Sequence, residues 1–184
     1  MKKILIGLVA LLSMSFANVS WSTPITWANN GHQYQVFGAS AISWNDARSS
    51  AQALGAGWDL VTITSLDEQN FISNLLGTPP GSGITEYAIG GQYLNGAWEW
   101  VTGEAFNFTY WGNGEPNGNA NEPFLAMDNR MNTPNWGWND YPGGNESYII
   151  GYIAEQSNVP EPSIIALMGV GLFGISFIRR KIRK

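Results

Sequence analysis

The chain contains no cysteine and only one histidine. Disulfide bonds, thiolate nucleophiles and cysteine metal sites are therefore excluded, and the fold must be stabilised by burial. His32 lies far in sequence from the acidic residues considered below, and we expect it to be an exposed polar residue rather than a catalytic base. Nine Trp, seven Tyr and eight Phe supply ample material for an aromatic core.

Basic residues are scarce in the central part of the chain. Between residues 23 and 158, Arg48 and Arg130 stand against 13 aspartates and glutamates, which gives this stretch a formal charge of −11. A surface of this sign repels nucleic-acid phosphates and attracts divalent cations. We therefore expect a cation site and no nucleic-acid partner.

Neither apolar run in the chain reaches the roughly 17–25 residues that a membrane-spanning helix needs. The first run, residues 4–17, follows Met1-Lys2-Lys3 and ends near small residues, which is typical of a secretory signal peptide. We therefore assign residues 1–22 to a cleaved signal peptide. Residues 23–158 have the length of one ordinary domain.

The second apolar run, residues 164–178, ends in a cluster of arginine and lysine residues, which favours a cytoplasmic location for this end. Val159-Pro160-Glu161-Pro162-Ser163 lies just before it. This order of Pro-Glu-Pro, hydrophobic helix and basic tail over residues 159–184 resembles the PEP-CTERM sorting signal. A plain C-terminal membrane anchor is the alternative.

The resemblance to that sorting signal implies a route through the cell. An exosortase-type processing protease becomes the expected partner, and the C-terminal helix anchors the chain in the membrane only transiently. The protein is then exported through the inner membrane of a Gram-negative bacterium that makes exopolysaccharide. We expect the processed form at the cell surface or in the extracellular matrix.

Two helices are predicted near the start of the domain. Ser43 can cap the first, in which apolar residues recur at helical spacing over residues 44–54. Ser65-Leu66-Asp67-Glu68 has the pattern of a capping box and begins the second helix, which continues to residue 76. Local interactions alone therefore define both helix starts.

The remainder of the domain consists of short apolar stretches separated by glycine, which is typical of β-structure. The predicted strands are residues 33–37, 87–91, 97–101, 125–127 and 148–153, with an extended link at 60–63 and a hairpin turn at Asn95-Gly96. Residues 112–135 form a long loop region. The sequence therefore predicts an α+β domain in which two helices flank short antiparallel sheets.

The loop region concentrates oxygen-bearing side chains. Calcium prefers roughly six to eight oxygen ligands from carboxylates and carbonyls. Five residues could supply most of such a set, with Arg130 as the only cation nearby in sequence: Glu115, Asn117, Glu122, Asn139 and Asp140. Taken alone, the acidic residues could also be solvated loop carboxylates, and the asparagines could be ordinary turn formers.

These motifs together match a known family. The sequence from about Tyr34 to Glu155 resembles the C-type lectin domain in the order of Trp44, Ala47, Leu60-Val61, Glu68, Gly90, Trp98, Trp100, Trp111, Glu115-Pro116-Asn117, Trp138-Asn139-Asp140 and Tyr152-Ile153-Ala154-Glu155. The resemblance implies a lectin fold with a long calcium-binding loop region. It also implies that the four tryptophans Trp98, Trp100, Trp111 and Trp138 pack in the core rather than stack on sugar.

The resemblance assigns the five oxygen-bearing residues a double role. It implies that Glu115, Asn117, Glu122, Asn139 and Asp140 bind one Ca²⁺ and also hold two neighbouring sugar hydroxyls, with a cis peptide before Pro116. The Glu-Pro-Asn form resembles members that bind mannose- or glucose-type sugars. The implied function is calcium-dependent binding of a glycan, with exopolysaccharide as a natural ligand near the cell surface.

The chain departs from the family pattern in two places. Members of the family usually carry two disulfides, and the positions of their cysteines correspond to Ala51, Phe124, a residue near Gly143, and Ala154. The acidic residues of a further calcium site would fall near Gly91, Asn95 and Gly118, none of which is a carboxylate. We therefore expect one calcium ion and packing in place of sulfur.

Two other functions remain open at this point. A lectin fold that acts as an adhesive or protein-binding module of the envelope or matrix, without sugar, is the main alternative. A glycosidase that uses Glu115 and Glu122 is conceivable, but carboxylates bound to calcium are poor general acids. We therefore expect that the protein is not an enzyme. Trp136 and Tyr141 flank the acidic residues and are expected to fill space.

Overall fold

The computed structural model describes residues 23–131 and 136–157. The signal peptide expected at residues 1–22 and the sorting signal expected at residues 159–184, with its hydrophobic helix, lie outside the described residues. In the described part of the chain, no helix is long and apolar enough to cross a membrane.

Both helices begin where the capping residues predict. Helix α1 spans Trp44–Gln52, and the Ser43 side chain accepts a hydrogen bond of 3.2 Å from the Asp46 N–H. Helix α2 spans Leu66–Leu76, and the Ser65 side chain accepts a hydrogen bond of 3.2 Å from the Glu68 N–H. A capped first turn satisfies backbone N–H groups that have no partner within the helix.

Within residues 23–131 and 136–157, eight strands form one sheet. They are β1 Ile25–Thr26, β2 Gln33–Gly38, β3 Trp58–Leu60, β4 Glu86–Leu94, β5 Ala97–Trp100, β6 Phe124–Asp128, β7 Gly137–Tyr141 and β8 Ile149–Gln156. The strand order is β1-β2-β8-β4-β6-β7, with β3 paired to β8 and β5 paired to β4. Strand β8, the last in the described part of the chain, therefore lies in the centre of the sheet.

The sheet is mixed rather than antiparallel throughout, because β4 and β8 pair in parallel. Glu86 and Ile149, the first residues of these two strands, are partners, so the chain enters both strands from the same end. The sequence also does not predict strands β1, β3 and β7. The Trp138-Asn139-Asp140 peptide therefore lies on a paired strand rather than in a loop.

Alternating residues of the central strands belong to two separate hydrophobic core clusters. Ile89, Leu125 and Ile153 belong to a cluster that includes Ile72 of α2, whereas Ala88, Ala126 and Ala154 belong to a cluster that includes Trp44, Ala47 and Ala51 of α1. Because successive side chains of a strand point to opposite faces, the two helices cover opposite faces of the sheet. The expected arrangement of helices flanking a sheet is confirmed.

Apolar residues occupy the positions that correspond to the family's cysteines. Ala51 and Ala154 are fully buried members of the same cluster. The Phe124 ring lies against Gly143, where an added Cβ would meet ring atom Cδ2 at 2.1 Å. Apolar packing therefore occupies both places at which the resemblance implies a bridge.

His32 is not the exposed polar residue that we expected. Its Nδ1 atom pairs with Glu155 Oε1, and its side chain is only 19% exposed. Strands β2 and β8 are antiparallel neighbours with Gln33 opposite Gln156, and this register brings His32 next to Glu155. The two residues are 123 positions apart, so their pairing depends on the strand register and could not be predicted from local sequence.

The tryptophan assignments agree with the structure. Trp100 and Trp138 are buried, and Trp98 and Trp111 are partly buried against the same cluster. Trp136 and Tyr141, expected to fill space beside the acidic residues, are each 1% exposed and belong to the core.

Candidate functional site

A loop of residues 112–123, which we call the site loop, carries the first three candidate residues. It begins beside β7, where the Gly112 N–H donates to the Trp138 carbonyl at 2.9 Å. The peptide bond between Glu115 and Pro116 is cis. A short 3-10 helix, Asn119–Asn121, then leads through Glu122 into β6. Both ends of the loop are therefore held by the strands that pair to form this edge of the sheet.

Asp140 fixes the site loop from the neighbouring strand. Its Oδ1 accepts the Asn117 N–H at 3.0 Å, and its Oδ2 accepts the N–H groups of Gly118 and Asn119 at 2.9 and 2.8 Å. Asp140 is only 1% exposed, so these bonds replace the hydration that its carboxylate loses on burial. The loop is thus folded around this carboxylate.

Two further carboxyl groups lie near Asp140 and are not neutralised. Burial, followed by a hydrogen bond and the negative charge from Asp140, raises the pKa of Glu115 to about 7. Burial and the charge of Asp140 also raise the pKa of Glu122. Glu115 Oε2 is buried and has no donor among the described residues. Ionised carboxylates cannot donate to each other, so Glu115 and Asp140 share a hydrogen bond only when a proton is present.

Asn139 lies beside Asp140 on β7, but its side-chain amide has a different partner. The Nδ2 group donates to Glu86 Oε1 at 3.3 Å. Glu86 is 1% exposed, and burial, followed by a hydrogen bond and the negative charge from Asp128, raises its pKa to about 9. Asn139 therefore connects the acidic loop to a second, buried acidic group.

Arg130 does not neutralise the site loop, although it is the nearest cation in sequence. Its Nη2 pairs with Asp128 and with Glu86 Oε1, the latter at 3.2 Å. Its Nε also donates to both oxygens of Asp128 at 3.0 and 2.9 Å. The ion pairs of Arg130 are thus with Glu86 and Asp128, and its charge acts on Glu115 only without direct contact.

The structure brings the five candidate residues to one edge of the sheet, with different degrees of convergence. Glu115, Glu122 and Asp140 influence one another electrostatically, Asn117 contacts Asp140 through its backbone, and Asn139 faces Glu86. Among residues 23–131 and 136–157, no three His, Asp or Glu side chains are arranged to hold a metal ion by themselves. A cation here would therefore also need the two asparagine oxygens.

The donor chemistry of this site fits a hard cation. It offers three carboxylates and two amide oxygens, without nitrogen or sulfur ligands, which is the preference of Ca²⁺. The buried Glu115 oxygen without a donor is the second indication, since such a group is costly unless something positive or protic meets it. The chemistry of these residues therefore fits calcium.

The positions implied for a second calcium site carry no carboxylate. A Cβ at Gly91 would lie 2.0 Å from Leu125 Cδ1, and a Cβ at Gly118 would lie 2.4 Å from Glu122 Cγ. Asn95 occupies the β4–β5 hairpin turn with φ of 54°. The prediction of a single calcium ion is consistent with this geometry and stays a prediction.

Sequence reasoning missed Glu86, Asp128 and Gln69. Gln69 on α2 donates to the Trp136 carbonyl at 2.6 Å and accepts from Trp138 Nε1 at 2.8 Å, which ties the helix to the strand that carries Asn139. The only signal in the sequence is the presence of these polar groups next to apolar runs. Asp128 pairs with Arg130 two residues along the chain. The contacts of Glu86 with Arg130 and Asn139, and of Gln69 with Trp136 and Trp138, join residues more than 40 positions apart and could not be inferred from local pattern.

The mixed sheet, the helices on its two faces and the oxygen-rich edge define a lectin-like α+β domain. Residues 40–152 match the family model described as the Lectin C-type domain, which is more than half of the chain, and the chain belongs to this family. The family consists of carbohydrate-binding proteins rather than enzymes. Residues 158–184 match the PEP-CTERM protein-sorting motif, which implies export and sorting to the cell surface.

Curated relatives come from animals. The chain is 35% identical over 104 residues to C-type lectin domain family 4 member A of Mus musculus, covering 55% of this chain and 40% of the relative. It is 31% identical over 125 residues to C-type lectin domain family 4 member C of Homo sapiens, covering 65% of this chain and 54% of the relative. The chain thus spans about half the length of these two relatives.

A solved structure agrees with the fold over its whole length. The C-type lectin domain of murine dendritic cell inhibitory receptor 2, determined in complex with an N-glycan, is similar with a TM-score of 0.58 and 27% identity. The match covers 78% of this chain and 100% of that domain. Human lithostathine, with a TM-score of 0.60 and 19% identity, shows the same fold.

Proposed function

We propose that this protein is an exported, calcium-dependent carbohydrate-binding protein. Its ligand would be a mannose- or glucose-type glycan, or an exopolysaccharide, at the cell surface. The observation that carries the proposal is the cluster of Glu115, Glu122 and Asp140 with a buried, unpartnered Glu115 oxygen. The N-glycan bound by the murine receptor domain, which this chain resembles at 27% identity, supports a glycan as the ligand class.

Each residue has a role that follows from its chemistry. Glu115, Glu122 and Asp140 would hold the ion through carboxylate oxygens, and Asn117 and Asn139 through amide oxygens. Bound Ca²⁺ would supply a positive centre that accepts two neighbouring sugar hydroxyls as ligands. The amide groups of Asn117 and Asn139 can donate to the same hydroxyls, and Glu115 and Glu122 can accept from them. Asp140 also keeps the site loop folded through its three backbone contacts.

A glycan-retention experiment tests this proposal. The full-length chain is passed over immobilised mannose, glucose and galactose with calcium, and again with a chelator. We expect retention on mannose or glucose that the chelator abolishes and that is lost in the double variant Glu115→Gln, Asn117→Asp. Asp67→Asn, which removes an exposed carboxylate from α2, serves as the matched control and should be retained. Chelator-resistant retention, or a double variant that binds like the parent, would refute the sugar mechanism.

One observation favours a second candidate, a lectin-fold adhesive module that binds protein without sugar. Asp140 already holds the site loop through backbone N–H groups, so the loop can be ordered without a cation. The same experiment separates the two functions. A folded protein that binds no calcium and no sugar would favour the adhesive module.

We also propose the processing route. Residues 1–22 would be removed on export, residues 23–158 would form the functional domain, and residues 159–184 would direct an exosortase-type protease after transient membrane anchoring. The matched sorting motif at residues 158–184 supports this division. Mass spectrometry of the mature protein from the cell surface tests it, and an intact C-terminal basic tail there would contradict it.

A further inference from the structure

Glu86 lies directly behind the candidate ligand Asn139. It is the first residue of β4, and its backbone is paired on both sides, with Asp128 of β6 and Ile149 of β8. Its side chain is 1% exposed. A carboxyl group in the middle of a sheet is costly to bury, so its partners must explain its presence.

The ion pair with Arg130 does not by itself account for the burial of the Glu86 carboxyl group. Arg130 Nη2 reaches only Oε1, at 3.2 Å, and its remaining contacts of this kind are with Asp128. Glu86 Oε2 has no partner among the described residues. Glu86 also shares a hydrogen bond with Asp128, and its Oε1 accepts from the Asn139 amide at 3.3 Å.

The chemistry of an amide makes this contact directional. An asparagine side chain presents an NH2 group on one side and an oxygen on the other, and rotation by 180° exchanges them. An acceptor such as Glu86 Oε1 engages only the NH2 side. The contact therefore keeps the Asn139 oxygen turned away from Glu86 Oε1.

We propose that Glu86 is a positioning residue for the calcium ligand Asn139. It acts through the amide rather than by touching the ion, as partners behind metal ligands commonly do. The proposal deepens the calcium site and rests on the function proposed above. It commits to hydrogen-bond acceptance by Glu86 as the physical cause, so a glutamine in its place retains the effect and an apolar residue loses it.

The orientation of Asn139 can be measured without calcium. The full-length chain is labelled with 15N-asparagine, and the Asn139 side-chain signals are assigned by their loss in Asn139→Asp. We expect a hydrogen-bonded, slowly exchanging NH2 pair in the parent and in Glu86→Gln. In Glu86→Leu the pair should move to the position of exposed asparagines and exchange faster. An unchanged Asn139 signal in folded Glu86→Leu would overturn the proposal, whether or not calcium binds.

Calcium affinity provides the second measurement. Titration calorimetry should show a 10–100-fold loss of affinity in Glu86→Leu, the usual effect of removing a partner behind a metal ligand, and a change of less than about threefold in Glu86→Gln. Equal losses in both variants would overturn the hydrogen-bond explanation in favour of charge. A parent protein that shows the Asn139 signature but binds no calcium would refute the proposed function and leave the positioning contact established.

A matched control accounts for general destabilisation. Glu68→Leu removes another buried carboxyl group, 3% exposed, whose partners Tyr34 and Thr64 lie away from the site loop. It should lower the melting temperature while leaving the Asn139 signals and the calcium affinity as in the parent. If Glu68→Leu changed both readouts as Glu86→Leu does, stability rather than positioning would be their cause.

Discussion

Replacing Asp140 by asparagine should unfold the site loop at a lower temperature even without calcium. Asp140 accepts three backbone N–H groups, and an amide can place its single oxygen on at most one side of this arrangement. If that oxygen keeps the Gly118 and Asn119 contacts, the Asn117 N–H then faces an NH2 group. At least one charge-assisted hydrogen bond is therefore lost.

The magnitude follows from that one bond. Hydrogen bonds to charged groups contribute about 1.5–3 kcal/mol, and the exposed loop backbone can regain some water, so the lower half of that range is expected. For a domain of this size each kcal/mol corresponds to about 3–4 °C in melting temperature, which gives a fall of about 5–8 °C. The loss of negative charge acts in the opposite direction and should lower the pKa of Glu115, which Asp140 helps to raise.

Thermal unfolding in chelator, together with NMR titration of Glu115, measures both effects. Glu122→Gln is the matched control, because it removes a charge from the same cluster without removing an acceptor from the loop backbone. It should keep the melting temperature of the parent or raise it slightly. If Asp140→Asn kept the parent's melting temperature and left the Glu115 titration unchanged, Asp140 would neither hold the site loop nor raise the pKa of Glu115.

Two other predictions follow from the packing and from the pKa shifts. Gly143→Ala would place a Cβ 2.1 Å from the Phe124 ring on a residue with φ of 82°. It should therefore lower the free energy of unfolding in urea by about 2–4 kcal/mol, and a loss below about 1 kcal/mol would contradict this packing. The pKa of Glu115 is raised from 4.5 to about 7 in the folded state, so its contribution to stability is fully present below pH 4.5 and is lost as the pH rises through 7. Because Ca²⁺ must displace this proton, calcium affinity should fall as the pH drops from 8 to 5. Calorimetry in buffers of different ionisation enthalpy should detect proton release on calcium binding, and Glu115→Gln should abolish that release.

The helices and part of the site could be predicted because their determinants are local. Ser43 and the Ser65 capping box each act within four residues, and both helices begin where these residues indicate. The Glu-Pro-Asn peptide and Glu122 are likewise close together in sequence. Asn139 and Asp140 could be named as nearby oxygen-bearing residues, and the resemblance to a family then connected them to that loop.

The sheet and the electrostatics of the site could not be predicted, because they depend on register between distant strands. The parallel pairing of β4 with β8 joins residues about 60 positions apart, and the contact between Glu86 and Asn139 joins residues 53 positions apart. Arg130 shows the same limit. It is the only cation near the acidic loop in sequence, whereas the β4–β6 register places Glu86 opposite Asp128 and directs Arg130 to that pair.

The packing that replaces one family disulfide also supports the binding edge. The Trp44 N–H donates to the Gly143 carbonyl at 3.0 Å, and the Trp44 ring stacks on Phe124 at 4.4 Å between centroids. Phe124 is the first residue of β6 and pairs with Tyr141, next to Asp140, so helix α1 braces the strand pair that carries the site. A disulfide stabilises mainly by restricting the unfolded chain, whereas this stack acts only in the folded state. Because the chain contains no cysteine, folding of the domain does not depend on disulfide formation.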